Sequence, residues 1–345
     1  MIAGVILHRL KITQLILTMS TVWLASMMLT GVVPWQRSDS PGVVVVCVML
    51  VGTAILTGAA LLLARLVPSP AAIAGTALTV ATFTVDAALG GPVQPGSLLN
   101  SRPIFGLRWY GFGNVTFGAY ASAGLILAGY VAHRFLLGRH RRAAILAVAL
   151  IGFGIVVCEG WPTMGSDFGG VVALTPAVLW LIFALSSTAI TFPRLVIATG
   201  SAVLAVAVIS VLDWTRGPDQ RSHLGNFVQR ILDGDALEVV SRKAVAAFQT
   251  LTGPLGVGAV IIGIALWVVI FKYAASLAEV QFSTIRPTLV AVLGCSILGS
   301  LLNDGGISVW ITMTSTATVV VAWFCVDYTL LQGWPARHPL RPPVA

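Results

Sequence analysis

Ten apolar stretches, most of them close to twenty residues long, run through this chain of 345 residues, near 13–34, 42–65, 70–89, 114–135, 143–159, 170–190, 194–213, 254–274, 287–303 and 307–330. A stretch of about 20 apolar residues is what a helix needs to cross the hydrocarbon core of a bilayer. Hydrophobic residues make up 57% of the chain, charged residues only 9%, and mean hydropathy is +0.94. A soluble domain carries roughly a quarter charged residues, so two soluble domains, which the length alone would allow, are excluded. The expectation is an all-α, polytopic transmembrane helical bundle of about ten spans, forming a single integral membrane domain over 1–345.

Basic residues set the expected orientation. Twelve lie on one side, among them Arg9, Lys11, Arg65, Arg134, Arg194, Lys272 and Arg286, and eight on the other. The run Gly138-Arg139-His140-Arg141-Arg142 is the strongest single vote. Positive residues favour the cytoplasm, so both termini are expected there, with 331–345 as a cytoplasmic tail. His8, Arg9 and Lys11 before an apolar stretch resemble a signal peptide, but the stretch is too long and lacks a small-x-small cleavage site. It is read as a retained anchor.

Net charge +8 reflects loop residues obeying this topology rule, so no nucleic-acid partner is expected. Cys47, Cys158, Cys295 and Cys325 are scattered and form no C-x-x-C pair, which points to buried small hydrophobes and not to disulfides or zinc.

Ten of the twelve acidic residues fall on the outer side, where four segments combine glycines with groups able to carry charge. The first runs from Asn100-Ser101-Arg102-Pro103 to Gly106-Leu107-Arg108-Trp109-Tyr110-Gly111-Phe112-Gly113-Asn114. The second is Glu159 to Gly170. The third is Asp213-Trp214-Thr215-Arg216 with Arg221-Ser222-His223. The fourth is Asn303-Asp304-Gly305-Gly306. Glycines let backbone approach a ligand, and the helix starts at Asn114 and Gly170 offer free N–H groups to an anion. Arg102, Arg108, Arg216 and Arg221 supply forks suited to phosphate, with Tyr110, Asn114, Asn303 and Asp304 placed to orient a substrate. Asp167, Asp213 and His223 are the candidate general bases. A divalent cation is compatible with these carboxylates, and the sequence specifies no other cofactor. Trp35, Trp109, Trp161 and Trp214 at span ends also suit an interfacial aromatic belt.

The long outer loop 214–253 holds Leu224, Phe227, Val228, Ile231 and Leu232 at helical spacing, which predicts an amphipathic helix on the membrane surface, followed by a second helix from Ala236 to Phe248. Span interiors are nearly free of charge, which counts against an ion-coupled carrier. No H-E-x-x-H, G-x-S-x-G or Walker A motif occurs.

The motifs Gly106 to Asn114, Gly165-Ser166-Asp167-Phe168-Gly169-Gly170 and Asn303-Asp304-Gly305 resemble a group of bacterial polytopic proteins in which G-x-R-[FWY]-Y-G-x-G-N and N-D-[SG]-G recur. Some members resemble fusions with an alkaline-phosphatase-like domain. The similarity covers about residues 80–310 and implies no activity; this chain has no phosphatase-like segment. The Arg- and Asn-rich junctions also look like those of lipid-linked glycan ligases and polymerases.

The leading expectation is therefore an enzyme of the bacterial plasma membrane, a transferase acting on a lipid- or polyprenyl-phosphate-linked substrate at the outer leaflet, with membrane lipids as its other partners. Two further readings use the same residues: a transporter or flippase of an anionic envelope precursor, and a non-catalytic scaffold for an extracytoplasmic enzyme.

Overall fold

A computed structural model describes residues 2–99, 111–186 and 191–332, and the regular elements among them are helical, with no strand. Each apolar run becomes a helix because lipid offers no partner for backbone N–H and C=O groups, which must bond within the segment. In chain order the helices begin with α1 (Ile2–Leu29), α2 (Pro41–Leu66), α3 (Ala71–Ala88), α4 (Asn114–Leu137), α5 (Arg141–Gly160) and α6 (Phe168–Leu185). They continue with α7 (Phe192–Trp214), α8 (His223–Leu232), α9 (Ala236–Thr252), α10 (Pro254–Glu279), α11 (Ile285–Leu302) and α12 (Gly306–Gln332).

Among the described residues nine helices are long and apolar enough to cross a membrane, namely α1 to α6, α10, α11 and α12. This is the framework expected of a multi-pass membrane protein. The remaining expected span, 194–213, is also helical within α7, although it is not one of the nine. Boundaries shift in places. Helix α1 starts well before residue 13, because nothing between Ile2 and Lys11 interrupts it. Helix α10 runs past 274 through a π-helical turn at Ile270–Ala274. Beyond that turn Ala275 and Ala278 face inward, fully buried, while Tyr273 is 58% exposed. The expected tail, 331–345, lies outside the described residues from 333 onward.

Helix α4 is the hub. Of its most apolar window 83% is buried, against 22% for the peripheral α2 and α10. Its sequence explains this: Gly118, Ala119, Ala121, Ser122, Ala123, Gly124, Ala128 and Gly129 form a buried small-residue surface. A Cβ at Gly118 would sit 3.0 Å from Thr312 of α12, and one at Gly124 2.7 Å from Ile155 of α5. Thr288 of α11 packs directly on Gly129, and Thr284 Oγ1 donates to the Gly129 carbonyl at 2.7 Å. Apolar helices gain little by burying side chains away from equally apolar lipid, so close backbone approach and interhelical hydrogen bonds hold such bundles together.

Two aromatic layers brace the bundle at different depths. Near the start of α4, Phe83, Phe112 and Tyr120 meet edge to face with ring centroids 5.2 to 6.3 Å apart. Toward its other end Tyr130 packs against Phe282 and His133, and His133 Nδ1 accepts from the Ser283 backbone N–H at 3.1 Å. Helix α10 is tied to α12 by Trp267 Nε1 donating to Thr314 Oγ1 at 3.1 Å.

Replacing Gly129 by Val should destabilise the protein by about 1–3 kcal/mol through overpacking against Thr288. Gly58→Ala, at a position with open space around it, should leave stability within about 0.5 kcal/mol. Thermal unfolding in detergent checks both; equal melting temperatures for the two variants would contradict the hub assignment.

Candidate functional site

The turn between α5 and α6 folds back on the last turn of α5. Gly165 N–H donates to the Cys158 carbonyl at 2.8 Å, Asp167 N–H to the Glu159 carbonyl at 2.9 Å, and Ser166 N–H to the Trp161 carbonyl at 3.2 Å. These bonds satisfy carbonyls that a helix end otherwise leaves open. The turn needs a left-handed residue at Ser166, where φ is +50°, a conformation that costs a non-glycine residue about 1 kcal/mol. It also needs Gly165, whose Cβ, if present, would lie 2.7 Å from Glu159 Cα.

This fold-back buries two carboxylates. Glu159 is 0% and Asp167 1% exposed. A Cβ at Gly170 would be 2.8 Å from Glu159 Oε1 and 2.9 Å from Asp167 Oδ2, so both acids face one point above the first turn of α6. The helix N-terminus favours negative charge there. Charged groups buried this deeply require pairing, and both acids are engaged with neighbouring groups.

Three other helix ends converge on the turn. Gly111, at φ +80°, abuts the Gly165 carbonyl, which accepts from Phe112 N–H at 2.7 Å, and this contact delivers the start of α4. Asn114 Nδ2 then donates to Asp304 Oδ1 at 2.9 Å, while Gly305 N–H donates to the same oxygen at 3.0 Å. Asn303 is 4% exposed; its Nδ2 donates to the Gly299 carbonyl at 3.0 Å, and its Oδ1 lies against Gly169. Phe117 of α4 fills the space below, packed on Gly170 and Gly299. Asn114, Asp167, Asn303 and Asp304, widely separated in the chain, are thus gathered at one end of the bundle. The Asn303-Asp304-Gly305 junction is a tight turn between α11 and α12.

The third expected segment forms a cluster of its own. Asp213, 2% exposed, accepts through Oδ2 from Ser222 N–H (2.9 Å), Ser222 Oγ (2.6 Å) and Gly225 N–H (2.9 Å). Its Oδ1 faces Arg216 at 3.4 Å. Arg221 donates through Nε to the Trp214 and Arg216 carbonyls and through Nη1 to Gln229 Oε1, with its guanidinium 5.4 Å from the Trp214 ring. Asp213, Arg216 and Arg221 therefore fasten α7 to α8, and their described partners all belong to that loop. Both expected amphipathic helices form, as α8 and α9, the second exposing Leu237, Val240, Val245 and Phe248. His223 is the first residue of α8, and its side chain lies outside the described residues, as do Arg102, Arg108 and Tyr110.

Two features were not among the candidate site residues of the sequence reading. Glu159 shares with Asp167 the point at Gly170; an acid in the last turn of an apolar span is costly, and that cost is the signal of a site. Ser166 Oγ and Thr116 Oγ1 are buried and carry no hydrogen bond among the described residues; no sequence pattern marks them. Among the described residues no three His, Cys, Asp or Glu side chains gather as a metal site would require. A carboxylate pair facing one point can share a proton, hold a cationic group or polarise a hydroxyl.

No protein-family model, curated protein or solved structure matches this chain. The resemblance drawn from motifs rests on those motifs, the first of which lies largely outside the described residues.

Removing the Asp213 carboxylate should loosen α8. Asp213→Ala strands three donors, costing about 1–3 kcal/mol for each group left buried, and should speed amide exchange over 222–232 while the spans stay protected. Asp213→Asn, which keeps an acceptor, should exchange more slowly than Asp213→Ala. Equal exchange in Asp213→Ala and wild type would refute the fastening role.

Proposed function

We propose that this chain is an enzyme of bacterial cell-envelope assembly, embedded in the plasma membrane with both termini cytoplasmic. It acts at the outer leaflet on a lipid-linked phosphate or glycan. The observation that carries the reading is the pair Glu159 and Asp167, buried against one point at the start of α6, with Asn303 against the adjoining Gly169 and Asn114 bonded to Asp304 at the same end of the bundle. In a protein this poor in charge, two acids held side by side in the last turn of one helix and at the cap of the next are costly to keep. A proton-transfer role justifies that cost.

In this reading Asp167 takes the proton of the acceptor hydroxyl, with Glu159 facing the same point beside it. Asn114 and the Asn303–Asp304 turn orient the substrate. Arg102 and Arg108 bind the phosphate and Tyr110 lines it, by the chemistry of their side chains. Arg216 and Arg221 fasten the α7–α8 loop together with Asp213, and His223 is a second candidate for proton transfer.

Transfer or hydrolysis of a polyprenyl diphosphate probe by the full chain in proteoliposomes tests this. Asp167→Asn and Glu159→Gln should each lower turnover about 100-fold or more, the usual scale of a positioned acid or base, with membrane insertion and melting temperature preserved. Asp219→Asn, at an exposed loop position, should be silent. Wild-type turnover in both Asp167→Asn and Glu159→Gln would sink the proposal.

Ser166→Gly separates strain from chemistry. It should raise stability by about 1 kcal/mol by relieving the left-handed conformation, and lower turnover if the hydroxyl touches substrate. Unchanged turnover would assign Ser166 to the turn alone.

A further inference from the structure

We infer that the bundle binds one water molecule at mid-membrane depth between α1, α3 and α12, where it forms the third rung of a polar ladder fastening α1 to α12. The inference is independent of the function proposed above. A cavity of about 20 Å³ lies between these helices. Ser20 and Thr21 of α1, Thr76 and Thr79 of α3 and Thr316 of α12 line it, and Ala123 of α4 and Val319 of α12 help to close its wall.

Three observations identify the occupant. First, α1 and α12 run antiparallel and are bonded directly at two successive turns. Gln14 Nε2 donates to Asp327 Oδ1 at 2.6 Å, and Trp323 Nε1 to Thr18 Oγ1 at 3.0 Å. Farther along, Ser20 and Thr21 meet Thr316 across the cavity, and among the described residues no side-chain bond joins them. Their hydroxyls donate to the carbonyls of Ile16, Thr18 and Thr312 in their own helices, at 2.7 to 3.0 Å. Second, the cavity offers acceptors and lacks donors. Thr76 and Thr79 also donate to carbonyls, those of Ala72 and Thr21, at 2.7 and 2.8 Å. Each hydroxyl has one proton and two lone pairs, so what remains to face the cavity is lone pairs, and water brings the two donors that such a surface needs. Third, size and depth suit water and nothing larger. A space of about 10–15 Å³ is enough for one water molecule, provided two to four polar partners line it. Ser20, Thr79 and Val319 lie at or beside the midpoints of the spans Ile6–Val32, Ala71–Ala88 and Gly306–Gln332. A cation is costliest at that depth without an opposite charge, and no acidic residue lines the cavity.

The test is water-edited magic-angle-spinning NMR of the full chain in lipid bilayers, with threonine labelled by carbon-13. Magnetisation should pass from water to Thr79 and Thr316, and should not reach Thr53, which is equally buried but donates within α2 and lies outside the cavity. Ala123→Val fills the space and should bring Thr79 and Thr316 down to the level of Thr53. If Ala123→Val fails to fold, Val319→Leu fills the space from α12 and should act in the same direction. Thr316→Val removes the α12 acceptor and should lower transfer to Thr79 about fivefold, the scale of one lost hydrogen bond.

Transfer to Thr79 and Thr316 no greater than to Thr53 overturns the water site, as does transfer undiminished in the filled variants. Spectra in sodium, potassium and choline chloride at equal ionic strength distinguish water from a cation. Identical Thr79 and Thr316 shifts in all three support water, whereas a saturable shift in sodium or potassium alone overturns it in favour of a monovalent cation. Full transfer to Thr79 in Thr316→Val overturns the rung, because the water then does not depend on α12.

Discussion

Close contact between backbones at α4 is the constraint on which the rest of the architecture depends. A helix as apolar as its solvent gains little by leaving it, so what selects this bundle over dispersed helices is shape. Gly118, Gly124 and Gly129 let α12, α5 and α11 approach on different sides of one axis. Thr284 converts one approach into a hydrogen bond to the Gly129 carbonyl. Because those same helices end in the turns that carry Glu159, Asn303 and Asp304, the packing of α4 also fixes where the polar groups meet.

The polar end obeys a different accounting. There the chain must close helix termini away from water, and it does so largely with its own backbone: Gly165, Ser166 and Asp167 bond back onto α5, and Phe112 bonds onto Gly165. Glycines at 111, 165, 169, 170 and 305 stand where any side chain would collide with a neighbouring turn or side chain. The carboxylates of Glu159 and Asp167 thus inherit their positions from a rigid fold-back and not from a flexible loop, as a preorganised site requires.

Much of this was legible in the sequence, for definite reasons. Hydrophobic length reports spans directly, because the bilayer imposes one thickness on every crossing, and the first loop helix follows from the spacing of Leu224, Phe227, Val228 and Ile231. Asn114, Asp167, Asn303 and Asp304 lie at one end of the bundle, while the described partners of Asp213 belong to its own loop. What the sequence concealed was the division of labour. Asp213 and Asp167 look alike as acids beside span ends, yet one accepts three hydrogen bonds from its own loop while the other sits beside a second buried acid. That difference is set by which helix ends come together, and long-range packing leaves no periodic trace. Ser166 was invisible for a related reason, since its left-handed backbone is imposed by neighbouring Gly165 and Asp167 contacts.

The π-helical turn in α10 has a consequence for how this span can change. One additional residue is accommodated between Ile270 and Ala274 without altering either end, so the helix is rotated downstream by roughly a third of a turn relative to an uninterrupted helix. Lys272 and Tyr273 are thereby swung outward, where they pair as cation and ring at 5.1 Å, and the Cys325 thiol meets the Ala274 carbonyl at 3.6 Å. Excising a single amino acid here would restore ordinary winding and leave Ala275 and Ala278 facing the bundle, whereas a deletion elsewhere in the span would turn them away. Relatives of this chain that differ by one residue in this span should carry their inward-facing alanines at shifted positions, and the gap between such sequences belongs at 270–274 and nowhere else in the helix.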